Sequence, residues 1–228
     1  MSREHRMLLL DLDGVVIFEA EPPLVEQREI LRLHEGLAAA LAGLNAAVVV
    51  VTHRSRTEAR RILEAVGLPE AALAGLVAAE ELLAAAIRQR GWVTLAQRGL
   101  LKSLILPEIE RRYQLARGRL AMIDDRNSNL EDLVGCGLGL GMRAPSALGA
   151  EGKSLLTFDF REASRVFQSW DYNSRSGEIV ELAVREMPIG TWQRTGISTR
   201  REGKHVFNLA RYLWRTVRTS LFRARSGS

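Results

Sequence analysis

The chain is short of cysteine, of histidine and of long apolar runs. Its 228 residues include one cysteine, Cys136, and four histidines. A single cysteine excludes an internal disulfide and suits a reducing, cytoplasmic setting. The longest apolar stretch, Leu37 to Val51, contains Gly43 and Asn45 and falls short of the roughly 18 residues a membrane span needs. Arg3 and Arg6 precede an apolar run, but Asp11 interrupts it too early for a secretory signal.

Acidic and basic residues are unevenly spread. Residues 185–228 carry ten Arg/Lys against Glu186 and Glu202, whereas residues 1–184 carry 22 basic and 25 acidic side chains. The net charge of +5 therefore belongs to the tail.

Leu8-Leu9-Leu10-Asp11-Leu12-Asp13-Gly14-Val15-Val16 anchors the reading. The run from Met7 to Leu10 is too short for a helix and reads as a strand buried on both faces. Asp11 and Asp13 stand at its end and, along an extended strand, point to one side. Gly14 lets the chain bend beyond them. Further apolar runs follow at Ala46 to Val51, Leu73 to Ala78, Leu120 to Ile123 and Cys136 to Met142. Helical spacing fills the intervals at Leu24 to Leu44, Thr57 to Val66, Glu80 to Arg90, Glu108 to Arg117 and Asn129 to Val134. Ser55 and Glu58 form a capping box for the second of these. Ile17 to Pro23 reads as a loop. This β-α alternation predicts an α/β fold: a doubly wound, Rossmann-like, mainly parallel sheet of about five strands with helices on both faces. The glycines at 135, 137, 139 and 141 lack dinucleotide-motif spacing and read as close strand packing.

Polar residues fall at the ends of these strands. Asp11 and Asp13 end the first, Thr52 the second, and Asp124 and Asp125 the fourth, while Lys102 precedes the helix leading to the fourth. Carboxylates converging on one site repel by about 4 kcal/mol per pair at ~4 Å and an effective dielectric near 20. They must protonate or bind a cation. An all-oxygen set without nearby His or Cys favours Mg²⁺, whose shell is commonly completed by a phosphate.

Asp11-Leu12-Asp13-Gly14-Val15-Val16, Thr52, Lys102 and Ile123-Asp124-Asp125 resemble the four motifs of the haloacid dehalogenase (HAD) superfamily, over about residues 7–145. The resemblance implies an Mg²⁺-dependent phosphomonoester hydrolase working through an aspartyl phosphate. Asp11 is then the nucleophile and Asp13 the acid and base. Thr52 binds phosphoryl oxygens and Lys102 neutralises Asp11 and the phosphate. The metal is held by Asp11, the Asp13 carbonyl and Asp125, with Asp124 in support. Asn129 stands where many relatives carry another acid. Asp13 points to phosphatases or phosphomutases, because dehalogenases of the family lack this acid and transport ATPases carry Thr there. The intervals around Thr52 are nearly consumed by core elements, which implies a capless member with an open site. Gly14, His53, Arg54 and Arg126 lie near its mouth as candidate substrate contacts. Two alternatives stand beside hydrolysis: a phosphotransferase or mutase of the same chemistry, and a non-catalytic assembly protein that keeps the core.

The reading divides the chain into a catalytic core, 1–150, and a mostly helical basic extension, 151–228. In the extension, Ser154 to Phe160 reads as a strand, Arg161 to Trp170 and Glu178 to Glu186 as helices, and Thr191 to Gly203 as a loop. Over about 204–224, Val206, Ala210, Leu213, Val217 and Leu221 form an apolar stripe, with Arg211, Arg215 and Arg218 elsewhere on the helix. That stripe fits three occupants: the core or a second subunit of a homo-oligomer, an anionic membrane surface, or a polyanion such as nucleic acid.

Overall fold

The structure is a computed structural model. It describes residues 6–21, 25, 28–89, 99–149, 154–173, 177–190 and 193–198. The basic helix expected over 204–224 lies outside the described residues.

The strands expected from the apolar runs form at the centre of the molecule. β1 (Met7–Leu10), β4 (Ala47–Val51), β5 (Gly75–Val77), β6 (Leu120–Asp124) and β7 (Leu140–Arg143) belong to one sheet, joined at its edge by β10 (Glu178–Glu181). The spatial order is β10-β7-β6-β1-β4-β5 and every pair is parallel. Leu10 of β1 is flanked by Val50 on one side and Ile123 on the other. Side chains of β1 alternate between two apolar layers. Leu8 and Leu10 pack with Val48, Val50 and Ile123 against α1 (Leu37–Ala42), α2 (Arg56–Ala65) and α6 (Phe160–Ser169). Met7 and Leu9 pack with Val49, Val51 and Met122 against α3 (Ala79–Arg88), α4 (Leu106–Tyr113) and α5 (Asn127–Gly135). From β1 the chain runs outward through β4 and β5, then crosses back to β6 and runs the other way. Strand order thus reverses between β1 and β6, which makes their carboxyl ends the ligand-binding crevice of such a sheet.

Several elements differ from the sequence expectation. β2 (Ile17–Ala20) and β3 (Glu29–Arg32) pair antiparallel as a hairpin where a loop and the first turns of a helix were expected. Ile30 and Leu31 mimic a helical stripe, but they are buried on opposite sides of the hairpin. Ile30 joins the main core, and Leu31 joins a small cluster with Ala20, Val25, Leu33 and Leu155. Among the described residues, only α1 remains of the expected helix. Residues 194–198, read as loop, form β12, which pairs antiparallel with β3. The helix expected over Glu178 to Glu186 is instead β10, parallel to β7, followed by β11 (Arg185–Pro188), antiparallel to β9 (Ser154–Thr157). Pairing partners distant in sequence override weak helical spacing here. β8 (Ala147–Leu148) completes that second three-stranded sheet. Among its described residues, 154–173, 177–190 and 193–198, the extension holds one helix and four strands and is not mostly helical.

Candidate active site

Three neighbouring strands deliver the polar residues. Asp11 follows Leu10 of β1, Thr52 follows Val51 of β4, and Asp124 is the last residue of β6. The chain leaves the strand geometry at Asp11. Val16 and Ile17 N–H both donate to the Leu12 carbonyl, and Gly14 N–H donates to Ile17 O at 2.8 Å. This curl separates the two aspartates expected to point together. Asp11 turns inward to Lys102, and Asp13 turns to Arg54. Gly14, at φ +75°, makes the bend. A Cβ there would come within 2.5 Å of Asp125 Cγ, so the glycine also makes room for that carboxylate.

Lys102, in the single 3-10 turn before α4, is 2 % exposed. Its Nζ donates to Asp11 Oδ2 at 2.8 Å and to Asp124 Oδ2 at 2.7 Å. Asp11 Oδ1 accepts from Leu12 N–H at 2.7 Å. Asp124, fully buried, also accepts from Arg126 N–H at 2.9 Å and from Asn129 Nδ2 at 3.0 and 3.1 Å. An acid in place of Asn129 would bring a charge and no hydrogen to donate. Thr52 is fully buried, and its Oγ1 accepts from Arg54 N–H at 3.2 Å.

Burial dominates the electrostatics. Desolvation raises the Asp11 pKa to about 7. The Lys102 charge opposes that rise, and Asp124 adds to it. Burial would lower the Lys102 pKa, but Asp11 and Asp124 outweigh it and the net shift is upward. Burial and the adjacent Asp124 also raise Asp125. One ammonium thus faces three carboxylates. Asp11, Asp124 and Asp125 each offer an oxygen within 4.8 Å of the others'. Excess negative charge from hard oxygen donors, with no His or Cys among them, fits a hard cation such as Mg²⁺.

The rim residues divide. His53 is exposed at its edge, and its Nε2–H donates to Leu100 O at 2.7 Å. Crowding of the ring by neighbouring atoms, then the Lys102 charge, keeps its pKa below the usual histidine value. The Arg126 side chain is exposed, and its backbone serves Asp124. Arg54 is 7 % exposed. Its Nε donates to both Asp13 oxygens at 3.0 Å, and its Nη2 to Asp13 Oδ1 at 2.6 Å and Glu19 Oε2 at 3.0 Å. Its Nη1 donates to Glu58 Oε1 at 2.5 Å. Sequence reasoning missed Glu19 and misread Glu58. Ser55 Oγ does accept from Glu58 N–H, but the Glu58 carboxylate turns to Arg54 instead of closing a capping box. The i,i+4 spacing of Arg54 and Glu58 was the available signal; Glu19 had none before the hairpin was seen.

No family model matches the chain, and no curated protein matches it. Solved structures do. One is the core domain of a putative phosphoglycolate phosphatase from Streptococcus pneumoniae, at 18% identity and TM-score 0.40, with 61% of this chain and 80% of that one covered. A second is the N-terminal part of a Bacteroides fragilis protein that contains a phosphatase domain and was solved with Mg; it has 16% identity, TM-score 0.37, and coverage of 58% and 34%. A third is 3-deoxy-D-manno-octulosonate 8-phosphate phosphatase from Moraxella catarrhalis in complex with magnesium ion, phosphate ion and KDO, at 16% identity and TM-score 0.35, with coverage of 61% and 68%.

Proposed function

We propose that this chain is a phosphomonoesterase of the haloacid dehalogenase type, dependent on Mg²⁺ and working through an aspartyl phosphate. The observation that carries the reading is the Lys102 ammonium held between Asp11 and Asp124, beside Asp125, where strand order reverses.

An Asp11 oxygen attacks phosphorus, and the ester P–O bond breaks. Asp13 delivers a proton to the departing oxygen, so an alcohol leaves. Water then attacks the phosphorus of the acyl phosphate, Asp13 takes a proton from it, and the bond to Asp11 breaks to release inorganic phosphate. Thr52 Oγ1 accepts from Arg54 N–H, which leaves its hydroxyl hydrogen for a phosphoryl oxygen. Lys102 offsets the charge on Asp11 and the phosphoryl group.

The ion's ligands would be Asp11, the Asp13 carbonyl and Asp125. Asp124, whose oxygens already accept from Lys102, Arg126 and Asn129, fits the supporting role. When bound, the ion supplies charge neutralisation at the phosphoryl oxygens. Phosphate release from a broad phosphoester panel, with Mg²⁺ and with EDTA, tests the reading on wild type and Asp11→Asn. Turnover that needs both Mg²⁺ and Asp11 supports it; silence across sugars, nucleotides, lipids and phosphorylated polymers refutes it.

A further inference from the structure

Arg54 is placed to govern the Asp13 side chain. Asp13 follows the strand end, and its side chain is 43% exposed. Among the described residues, Arg54 is the one side chain that hydrogen-bonds it. Without that arginine, a half-exposed carboxylate would sample several rotamers. Nε and Nη2 of Arg54 grip it edge-on, which fixes the plane of the carboxylate as well as its position.

The guanidinium is itself held. Glu58 grips Nη1 from the first turn of α2, and Glu19 reaches Nη2 from β2 of the hairpin. Two separate elements thus brace one arginine, and three carboxylates occupy its donors. Backbone bonds add to the brace: Arg54 N–H donates to Thr52 Oγ1, and its carbonyl accepts from Ala79 N–H at 3.0 Å. The same residue is therefore tied to the phosphate-binding threonine and to the acid–base aspartate.

We propose that Arg54 is a positioning residue that holds the Asp13 carboxylate in the orientation from which it takes a proton from the attacking water, with Glu58 and Glu19 as its brace. The inference rests on the phosphatase reading above. A displaced acid–base group costs on the order of 10- to 100-fold in the step it serves. It costs little in a step that does not need it. Formation of the phosphoenzyme from an ester with a good leaving group is such a step, whereas hydrolysis of the phosphoenzyme is not.

The test uses 2,4-dinitrophenyl phosphate with Mg²⁺ and compares the first turnover with the steady state in wild type, Asp11→Asn, Arg54→Gln, Arg54→Lys and Glu58→Gln. The expected result for Arg54→Gln is first-turnover dinitrophenol release within about threefold of wild type, with steady-state turnover lowered about 10- to 100-fold and phosphoenzyme accumulating. Arg54→Lys, which keeps charge but loses the two-point grip, falls between. Glu58→Gln, which leaves Asp13 untouched, shows the same pattern more weakly, and it carries the test if the Arg54 variants do not fold. First-turnover and steady-state rates that fall together, or that both stay at wild type, overturn the proposal alone. A wild type with no Asp11-dependent dinitrophenol release overturns the phosphatase reading, and this proposal with it.

Discussion

Gly14 and Asp125 are packed so closely that no side chain can be added at the first without displacing the second. A Cβ on Gly14 would lie 2.5 Å from Asp125 Cγ and closer still to its Oδ2. The left-handed backbone at Gly14, φ +75°, adds a penalty of roughly 1–2 kcal/mol for any L side chain. Gly14→Ala should therefore lower stability by more than that penalty and move a proposed metal ligand. The measurement is a thermal melt with and without Mg²⁺. A variant whose Mg²⁺-dependent shift equals that of wild type would show that Asp125 need not stay in place.

The proposed metal site makes a prediction independent of turnover. Three buried or half-buried carboxylates face one ammonium, so a divalent cation should stabilise the fold. Binding to the native state alone contributes about 1.4 kcal/mol at ten times Kd. Mg²⁺ should raise the melting temperature of wild type and should raise that of Asp125→Asn much less. EDTA should reverse the shift. Equal shifts in both proteins would remove Asp125 from the ligand set.

Lys102 and its two carboxylates should show the asymmetry of a buried ion pair. Removing one partner leaves the other charge buried and unpaired, at a cost of about 3–5 kcal/mol. Lys102→Met leaves Asp11 and Asp124 facing each other without the ammonium and should be strongly destabilising. Adding Asp11→Asn to Lys102→Met removes one of the two charges and should recover part of the loss. Chemical denaturation of the two single variants and the double variant reads this coupling directly. Additive losses would mean that the pair is not coupled in solution.

How much of this was legible in the sequence depends on the range of the interactions. Met7 to Leu10 and Ala47 to Val51 are buried on both faces, so their runs are continuous and easily read, and the polar residues that end them fell in place. The hairpin was not legible. Ile30 and Leu31 are buried on opposite sides by partners far along the chain, Phe158 among the first layer and Leu155 in the second, and no local period encodes that. β10 was missed for the same reason, since its partner β7 lies 38 residues earlier in register. The Asp13–Arg54–Glu19 link joins the segment after β1, the segment after β4 and β2, and its hairpin member became visible only with β2.

His34 gives a pH prediction away from the carboxylate cluster. Its ring stands edge-on to Phe158 with centroids 4.6 Å apart, and its Nε2–H donates to Val15 O at 2.9 Å. Burial lowers its pKa from 6.5 to about 4; the bond to Val15 and the Asp159 charge act the other way but are outweighed. The native state thus favours the neutral ring. Between about pH 6.5 and pH 4 the unfolded chain binds more protons at this position than the folded one, so stability falls as pH falls through that window. At about 1.4 kcal/mol per pKa unit the loss is at most about 3 kcal/mol, and the partial exposure of His34 reduces it. His34→Gln keeps a donor for Val15 O and removes the titration. Urea unfolding of wild type and His34→Gln at pH 7.5 and pH 4.5 should show a smaller acid loss in the variant. Equal losses in the two proteins would place the acid sensitivity on other groups.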